Sequence, residues 1–219
     1  TEITNGLQFP EGPVSMPDGS VILTEMLASR LTRVAPDGTK TTVAEINGSP
    51  NGLALGPDGY LYLCNNGNAF TKVDMGGLLY PGPFDPSRYI GGRIQRVNIE
   101  TGVVTDLYTH CGEHQLRAPN DIVFDKHGGF YFTDHGTRAE RTADRTGIYY
   151  ATTDGASITE IAFPVDGPNG IGLSPSEDTL YWAETHTGRV YQRTITSPGV
   201  LAPPDGASVV LCGLPGYQL

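Results

Sequence analysis

Pro119-Asn120-Asp121-Ile122-Val123-Phe124 runs into His127-Gly128-Gly129 and then Phe130-Tyr131-Phe132-Thr133-Asp134, and this stretch decides the fold because it recurs. Upstream, Pro50-Asn51-Gly52-Leu53-Ala54-Leu55 leads into Pro57-Asp58-Gly59 and Tyr60-Leu61-Tyr62-Leu63. Before that, Pro10-Glu11-Gly12-Pro13-Val14 leads into Pro17-Asp18-Gly19 and Ser20-Val21-Ile22-Leu23-Thr24-Glu25. Downstream, Pro168-Asn169-Gly170-Ile171-Gly172-Leu173 leads into Ser176-Glu177-Asp178 and Leu180-Tyr181-Trp182-Ala183-Glu184. A unit met four times marks a repeat architecture. Asp-Gly between apolar runs is a hairpin signal, so each copy reads as strand, tight turn, strand. Third strands are expected at 30–34, 93–97, 147–150 and 189–192, and fourth strands at 41–46, 103–108, 157–163 and 208–211. Four antiparallel strands per repeat make the blade of a β-propeller, an all-β fold.

The copies open at Pro10, Pro50, Pro119 and Pro168, which are 40, 69 and 49 residues apart. The long interval holds an insertion at 65–92, rich in Gly, Pro and Asn, between the second and third strands of the second blade. A loop of that length is usually functional or disordered, and this one is expected to cover one face of the disc. A further repeat would open just past Leu219, and Leu214-Pro215-Gly216-Tyr217-Gln218-Leu219 looks like its approach. Residues 1–219 are therefore expected to form a single propeller domain of about four blades, interrupted before the ring closes. A complete four-bladed propeller is the alternative.

The 219 residues are 38% hydrophobic and 17% charged, with 29 Gly and 17 Pro, a balance that favours short strands and tight turns over long helices. A net charge of −10 opposes a nucleic-acid partner, which needs clustered Lys and Arg. Most of the acidity reads as a solvated surface. Cys64, Cys111 and Cys212 have neither metal-ligand spacing nor the makings of a disulfide framework, which fits a reducing compartment. No apolar run suits a membrane span. The expected location is cytoplasmic, with a leader removed upstream of Thr1 as the alternative. No Ser elbow, phosphate-cradling Gly loop or dinucleotide fingerprint occurs.

The residue after each opening Pro holds the same place in its repeat: Glu11, Asn51, Asn120 and Asn169. One carboxylate with three amide oxygens suits a hard cation such as calcium or magnesium. Zinc more usually recruits His or Cys. Asn also caps turns, but four in phase, one of them a Glu, point to convergence at the hub. Asn51 is expected on the wall of the site as a substrate contact. Asp121 can exchange roles with Asn120, because a one-residue slip reverses which side chain faces the channel. His135, just past the second strand of its repeat, is expected as a proton carrier or substrate contact, or else as a surface loop residue. Glu25 and Glu184 end second strands and read as turn carboxylates.

Pro10-Glu11-Gly12-Pro13, the segments 118–125 and 128–134, and 168–174 with 180–185 resemble the senescence marker protein/gluconolactonase/luciferin-regenerating enzyme family of regucalcin-like lactonases, and more distantly the paraoxonases. The resemblance implies a propeller with six blades in the full-length protein. It also implies a divalent cation at one end of the channel, calcium first, with magnesium, manganese or zinc as alternatives. Glu11, Asn120 and Asn169 match the family's metal ligands. The family's Asp ligand, most often proposed as the base, has no counterpart and is expected just beyond Leu219. The implied activity is a metal-dependent lactonase on a small-molecule lactone, the cation polarising the carbonyl and activating water. Tyr80, Phe84 and Arg88 of the insertion are expected to shape the substrate pocket. A phosphotriesterase-like hydrolase, or a non-catalytic calcium-stabilised binding propeller, would use the same scaffold.

Overall fold

Each quoted repeat is an antiparallel sheet in the computed structural model, which describes residues 2–203 and 206–213. The first sheet is β1 (Pro10–Ser15), β2 (Val21–Glu25), β3 (Arg30–Val34) and β4 (Lys40–Glu45). The second begins with β5 (Pro50–Leu55) and β6 (Leu61–Asn65). A separate hairpin, β7 (Phe70–Asp74) and β8 (Leu79–Phe84), interrupts it before β9 (Arg93–Val97) and β10 (Val104–Tyr108) complete it. A short ladder, β11 (His110–Cys111) with β12 (His114–Gln115), precedes the third sheet. That sheet is β13 (Pro119–Phe124), β14 (Gly129–Asp134), β15 (Thr146–Thr152) and β16 (Ile158–Val165). The fourth comprises β17 (Pro168–Leu173), β18 (Thr179–Glu184), β19 (Arg189–Ser197), β20 (Val200–Ala202) and β21 (Val209–Gly213). No helix occurs among the described residues.

The inner strands stack in chain order, β1 on β5, β5 on β13 and β13 on β17. The second strand of each middle blade feeds two cores at once, because alternate side chains point to opposite faces. Leu61 and Leu63 join Ile22, Leu31 and Val97 between the first and second sheets, while Tyr62 and Cys64 join Phe130, Phe132 and Tyr149 between the second and third. Tyr131 turns the other way and packs with Ile148, Leu180 and Trp182 between the third and fourth. Burial on both faces explains why these strands read as unbroken apolar runs rather than alternating ones.

Two features differ from the sequence expectation. The insertion is not wholly irregular: its paired glycines, Gly76 and Gly77, occupy left-handed backbone (φ 76° and 92°) at the turn of the β7–β8 hairpin, capped by Gly77 N–H to Asp74 Oδ1 at 2.6 Å. In the fourth sheet β19 runs five residues past the expected 192, to Ser197, long enough for β20 to pair its far half and β21 its near half. The expected approach to another blade, 214–219, lies outside the described residues.

The first two strands of every blade share one register. Pro10 faces Glu25, Pro50 faces Asn65, Pro119 faces Asp134 and Pro168 faces Glu184. Just inside that pair the register slips by one residue in all four. A bulge of this kind re-aims the side chains beside it, and here those belong to Glu11, Asn51, Asn120 and Asn169.

Candidate functional site

The residue facing each Pro is a buried acid or amide that ties down the chain entering the bulge. Glu25 accepts the N–H of Gln8 at 2.8 Å, Asn65 that of Ser49 at 3.0 Å, and Asp134 those of Arg117 and Ala118 at 2.7 Å each. Glu184 takes the N–H of Asp166. The next residue donates its own N–H to the carbonyl just before the Pro: Met26 to Phe9, Asn66 to Ser49, His135 to Ala118 and Thr185 to Gly167, at 2.9–3.1 Å. Glu25 and Glu184 are thus strand-end caps, as their position suggested.

Held this way, Glu11, Asn51, Asn120 and Asn169 line one cavity of about 340 Å³. His135, Thr185 and His186 join from the ends of β14 and β18. Phe70, Tyr80 and Pro81 reach in from the hairpin, and Phe9 and Met26 from the first blade. Larger clefts of about 540 and 450 Å³ elsewhere contain none of the four inner-strand residues. Arg88 is exposed and does not line the cavity, because its segment turns outward after β8. Phe84 packs edge-on against Tyr89 at 5.4 Å between ring centres rather than toward the site. Of the three insertion residues expected at the pocket, Tyr80 lines this cavity and Phe84 and Arg88 do not.

Asn120 faces the cavity and Asp121 does not. Asp121 occupies the place that is Gly12, Gly52 or Gly170 in the other repeats. A Cβ on Gly52 would come within 2.5 Å of Asn120 O and 2.8 Å of Asp121 Oδ1, so adjacent inner strands touch there through their backbones. The Asp121 carboxylate fills the space these glycines leave and accepts the N–H groups of Ile122 at 2.9 Å and Ile171 at 3.0 Å. Burial raises its pKa, against the pull of those two donors. Burial raises that of Glu11 too, the negative Asp121 adds to the effect, and only the Gly12 N–H opposes it. Among the described residues neither carboxylate has an ion-pair partner.

The donor set fits a hard cation. Among the described residues the side chains of Asn51 and Asn120 have no hydrogen-bond partner, and the amide nitrogen of Asn169 is taken by Thr185 Oγ1 at 3.2 Å, which leaves its oxygen free. Unclaimed oxygens beside a carboxylate destabilised by burial and by a like charge are what such an ion would neutralise. No three His, Cys, Asp or Glu side chains converge among the described residues, so the amides are essential to any such site.

His135 and His186 meet edge to face, 5.3 Å between ring centres. His135 Nδ1 lies 3.2 Å from Gly136 O. A carbonyl only accepts, so Nδ1 carries the proton and Nε2 the lone pair. Burial lowers the pKa of both imidazoles, with Arg138 nearby adding to it. His135 is among the residues expected at the site from the sequence; His186 is not. The repeat does not signal it: Thr185, not His186, follows Glu184 as His135 follows Asp134, so the two imidazoles stand one residue out of phase.

A family model described as the SMP-30/Gluconolactonase/LRE-like region matches residues 9–205. The lactonase drp35 of Staphylococcus saprophyticus is 30% identical over 206 residues, covering 93% of this chain and 56% of that protein. The same lactonase from Staphylococcus epidermidis is 28% identical over the same coverage. The chain therefore spans little more than half the length of these relatives. Among solved structures, a gluconolactonase from Xanthomonas campestris superposes with a TM-score of 0.72 at 20% identity, over 95% of this chain and 64% of that one. The calcium-binding protein regucalcin from Agrobacterium tumefaciens does so with 0.68 at 18%, over 94% and 60%. These likenesses establish a propeller-type fold, and the family match establishes more: the chain belongs to the SMP-30/gluconolactonase/LRE-like family.

Proposed function

We propose that this chain carries the cation and substrate site of a hydrolase that opens a lactone ring. The observation that carries the proposal is the bulge shared by all four blades, which turns Glu11, Asn51, Asn120 and Asn169 into one cavity. Glu11 would hold a divalent cation through its carboxylate, and Asn120 and Asn169 through amide oxygens. Calcium is favoured by the all-oxygen donors and by the calcium-binding relative. When bound, the cation supplies Lewis acidity toward the lactone carbonyl and toward water.

The chain's own groups supply the rest. Asn51, with its amide unpartnered, would hydrogen-bond the lactone and fix its orientation. His135, which lines the cavity, would take a proton from the attacking water through Nε2 and return it to the ring oxygen as the ester bond breaks, leaving a hydroxy acid. Phe9, Met26 and the hairpin limit the access of bulk water. The greater length of the relatives leaves room for the further blades of a six-bladed ring, and for a second acid beside Glu11.

Glu11→Gln keeps the shape and removes the charge. Loss of stoichiometric calcium binding by calorimetry, together with loss of lactone hydrolysis, is the expected result. Hydrolysis at the parental rate by the purified Gln variant would refute the assignment.

A further inference from the structure

The hairpin departs from the second blade and spans the cavity to both neighbours. Toward the first blade, Lys72 Nζ donates to Gln8 Oε1 at 2.7 Å, and the rings of Phe9 and Tyr80 lie 6.1 Å apart. Toward the third, Phe70 meets His135 edge-on at 6.3 Å. The base of the insertion is closed by Asp85 N–H to Ala69 O and Ile90 N–H to Gly67 O, at 3.2 and 2.9 Å, and Tyr89 Oη donates to Arg117 O at 2.6 Å. The hairpin is therefore anchored, not trailing.

Its contribution to the cavity is chemically one-sided. Phe70, Tyr80 and Pro81, with Phe9 and Met26, face the oxygen-bearing inner strands, and no Lys or Arg lines the space. Proline has no N–H to offer, and the Tyr80 hydroxyl is the single polar side-chain group that the hairpin brings to the space. Phe9 itself sits in left-handed backbone at φ 55°, a conformation that a bulky residue adopts only where its surroundings impose it. A substrate with hydroxyls all round its ring would leave most of those on the hairpin side unpaired, which is unfavourable. A substrate with a polar ring and one apolar arm would match both sides.

We infer that the β7–β8 hairpin is the specificity element of the site, and that the lactone it selects carries an apolar substituent seated against Phe9, Phe70 and Tyr80. This rests on the lactone-opening reading, and its test separates the two. In a series of γ-alkyl butyrolactones, kcat/KM should climb about threefold to fourfold per methylene until the wall is filled, and polyhydroxylated gluconolactone should be the poorer substrate. Affinities of the matching non-hydrolysable γ-alkyl lactams, by calorimetry with and without calcium, should climb in parallel. Tyr80→Ser and Phe70→Ser should flatten both slopes, whereas Tyr80→Leu, still apolar, should retain them; melting curves identify any variant that fails to fold. Lactones opened with no dependence on chain length, or with gluconolactone preferred, would overturn the inference and leave the lactonase reading intact. Lactams that show the climb while no lactone is opened would do the reverse. Flat lactam affinities in the parent protein also overturn the inference.

Discussion

The carboxylate of Asp134 accepts the backbone N–H of Ala118 at 2.7 Å, directly before the bulge that turns Asn120 into the cavity. The same carboxylate takes the N–H groups of Arg117 and Gly136. Asn65 does the equivalent work in the second blade with a neutral oxygen, accepting from Ser49 and Gly67.

Asp134→Asn should keep the bonds from Ala118 and Gly136 through its one oxygen and lose the bond from Arg117, while Asp134→Ala should lower stability by about 3 kcal/mol by leaving all three buried N–H groups unpaired. Burial pushes the Asp134 carboxyl up to about 6 from 3.8, so the folded chain holds this proton more tightly than the unfolded chain does. The group's contribution is then greatest at low pH and is lost as pH rises from 3.8 to about 6, a change of about 3 kcal/mol. Urea denaturation across that window should show a fall in the parent that is missing in Asp134→Asn. Parallel curves for the two proteins would contradict it.

Glu11 should bind a cation in competition with a proton. Burial and Asp121 both raise its pKa, so cation affinity should decline with falling pH sooner than an ordinary carboxylate near 4.5 would dictate. Asp121→Asn removes one of the two causes and should move the decline to lower pH. Calcium titrations followed by calorimetry at a series of pH values give the midpoint, and an unmoved midpoint in the variant would count against the coupling.

Thr133 Oγ1 donates to the Asn169 carbonyl at 2.6 Å, and Thr24 Oγ1 to that of Asn51 at 2.8 Å. Each hydroxyl reaches from a second strand to the inner strand of the next blade. Replacement of either by Val should lower stability by about 1 kcal/mol. Only Thr133→Val should also weaken calcium binding, because Asn169 is the assigned ligand and Asn51 is not. Equal calcium affinities in the two variants would argue that Asn169 does not reach the ion.

Gly52 is held by contact rather than by its dihedral freedom. A methyl there would meet the backbone of Asn120 and Asp121 at 2.5 and 2.6 Å, so Gly52→Ala should separate the second and third inner strands and destabilise by about 1–3 kcal/mol. Gly172, in β17, has open space around its Cβ position, and Gly172→Ala should be close to neutral. Comparing the two melting temperatures tests the packing of the hub.

The blades were legible because local rules suffice for them. Asp-Gly and His-Gly-Gly turns between apolar runs specify hairpins whatever surrounds them, and the recurring Pro-Glu/Asn placed Glu11, Asn51, Asn120 and Asn169 in phase. The repeat also carried, less visibly, the caps Glu25, Asn65, Asp134 and Glu184 at the ends of the second strands. Distant contacts carried the rest. Whether Asn120 or Asp121 faces the cavity depends on a bulge, and a bulge is a property of two paired strands rather than of either one. Composition marked 65–92 as irregular, yet Phe70 and Tyr80 come to lie against His135 and Phe9, and Arg88 turns away, because the hairpin packs across three blades. The sequence by itself thus determined the strands and the in-phase positions of Glu11, Asn51, Asn120 and Asn169, through the repeat and its turn chemistry. Only the tertiary structure decided which side chains share the cavity, since that requires segments far apart in the chain to meet.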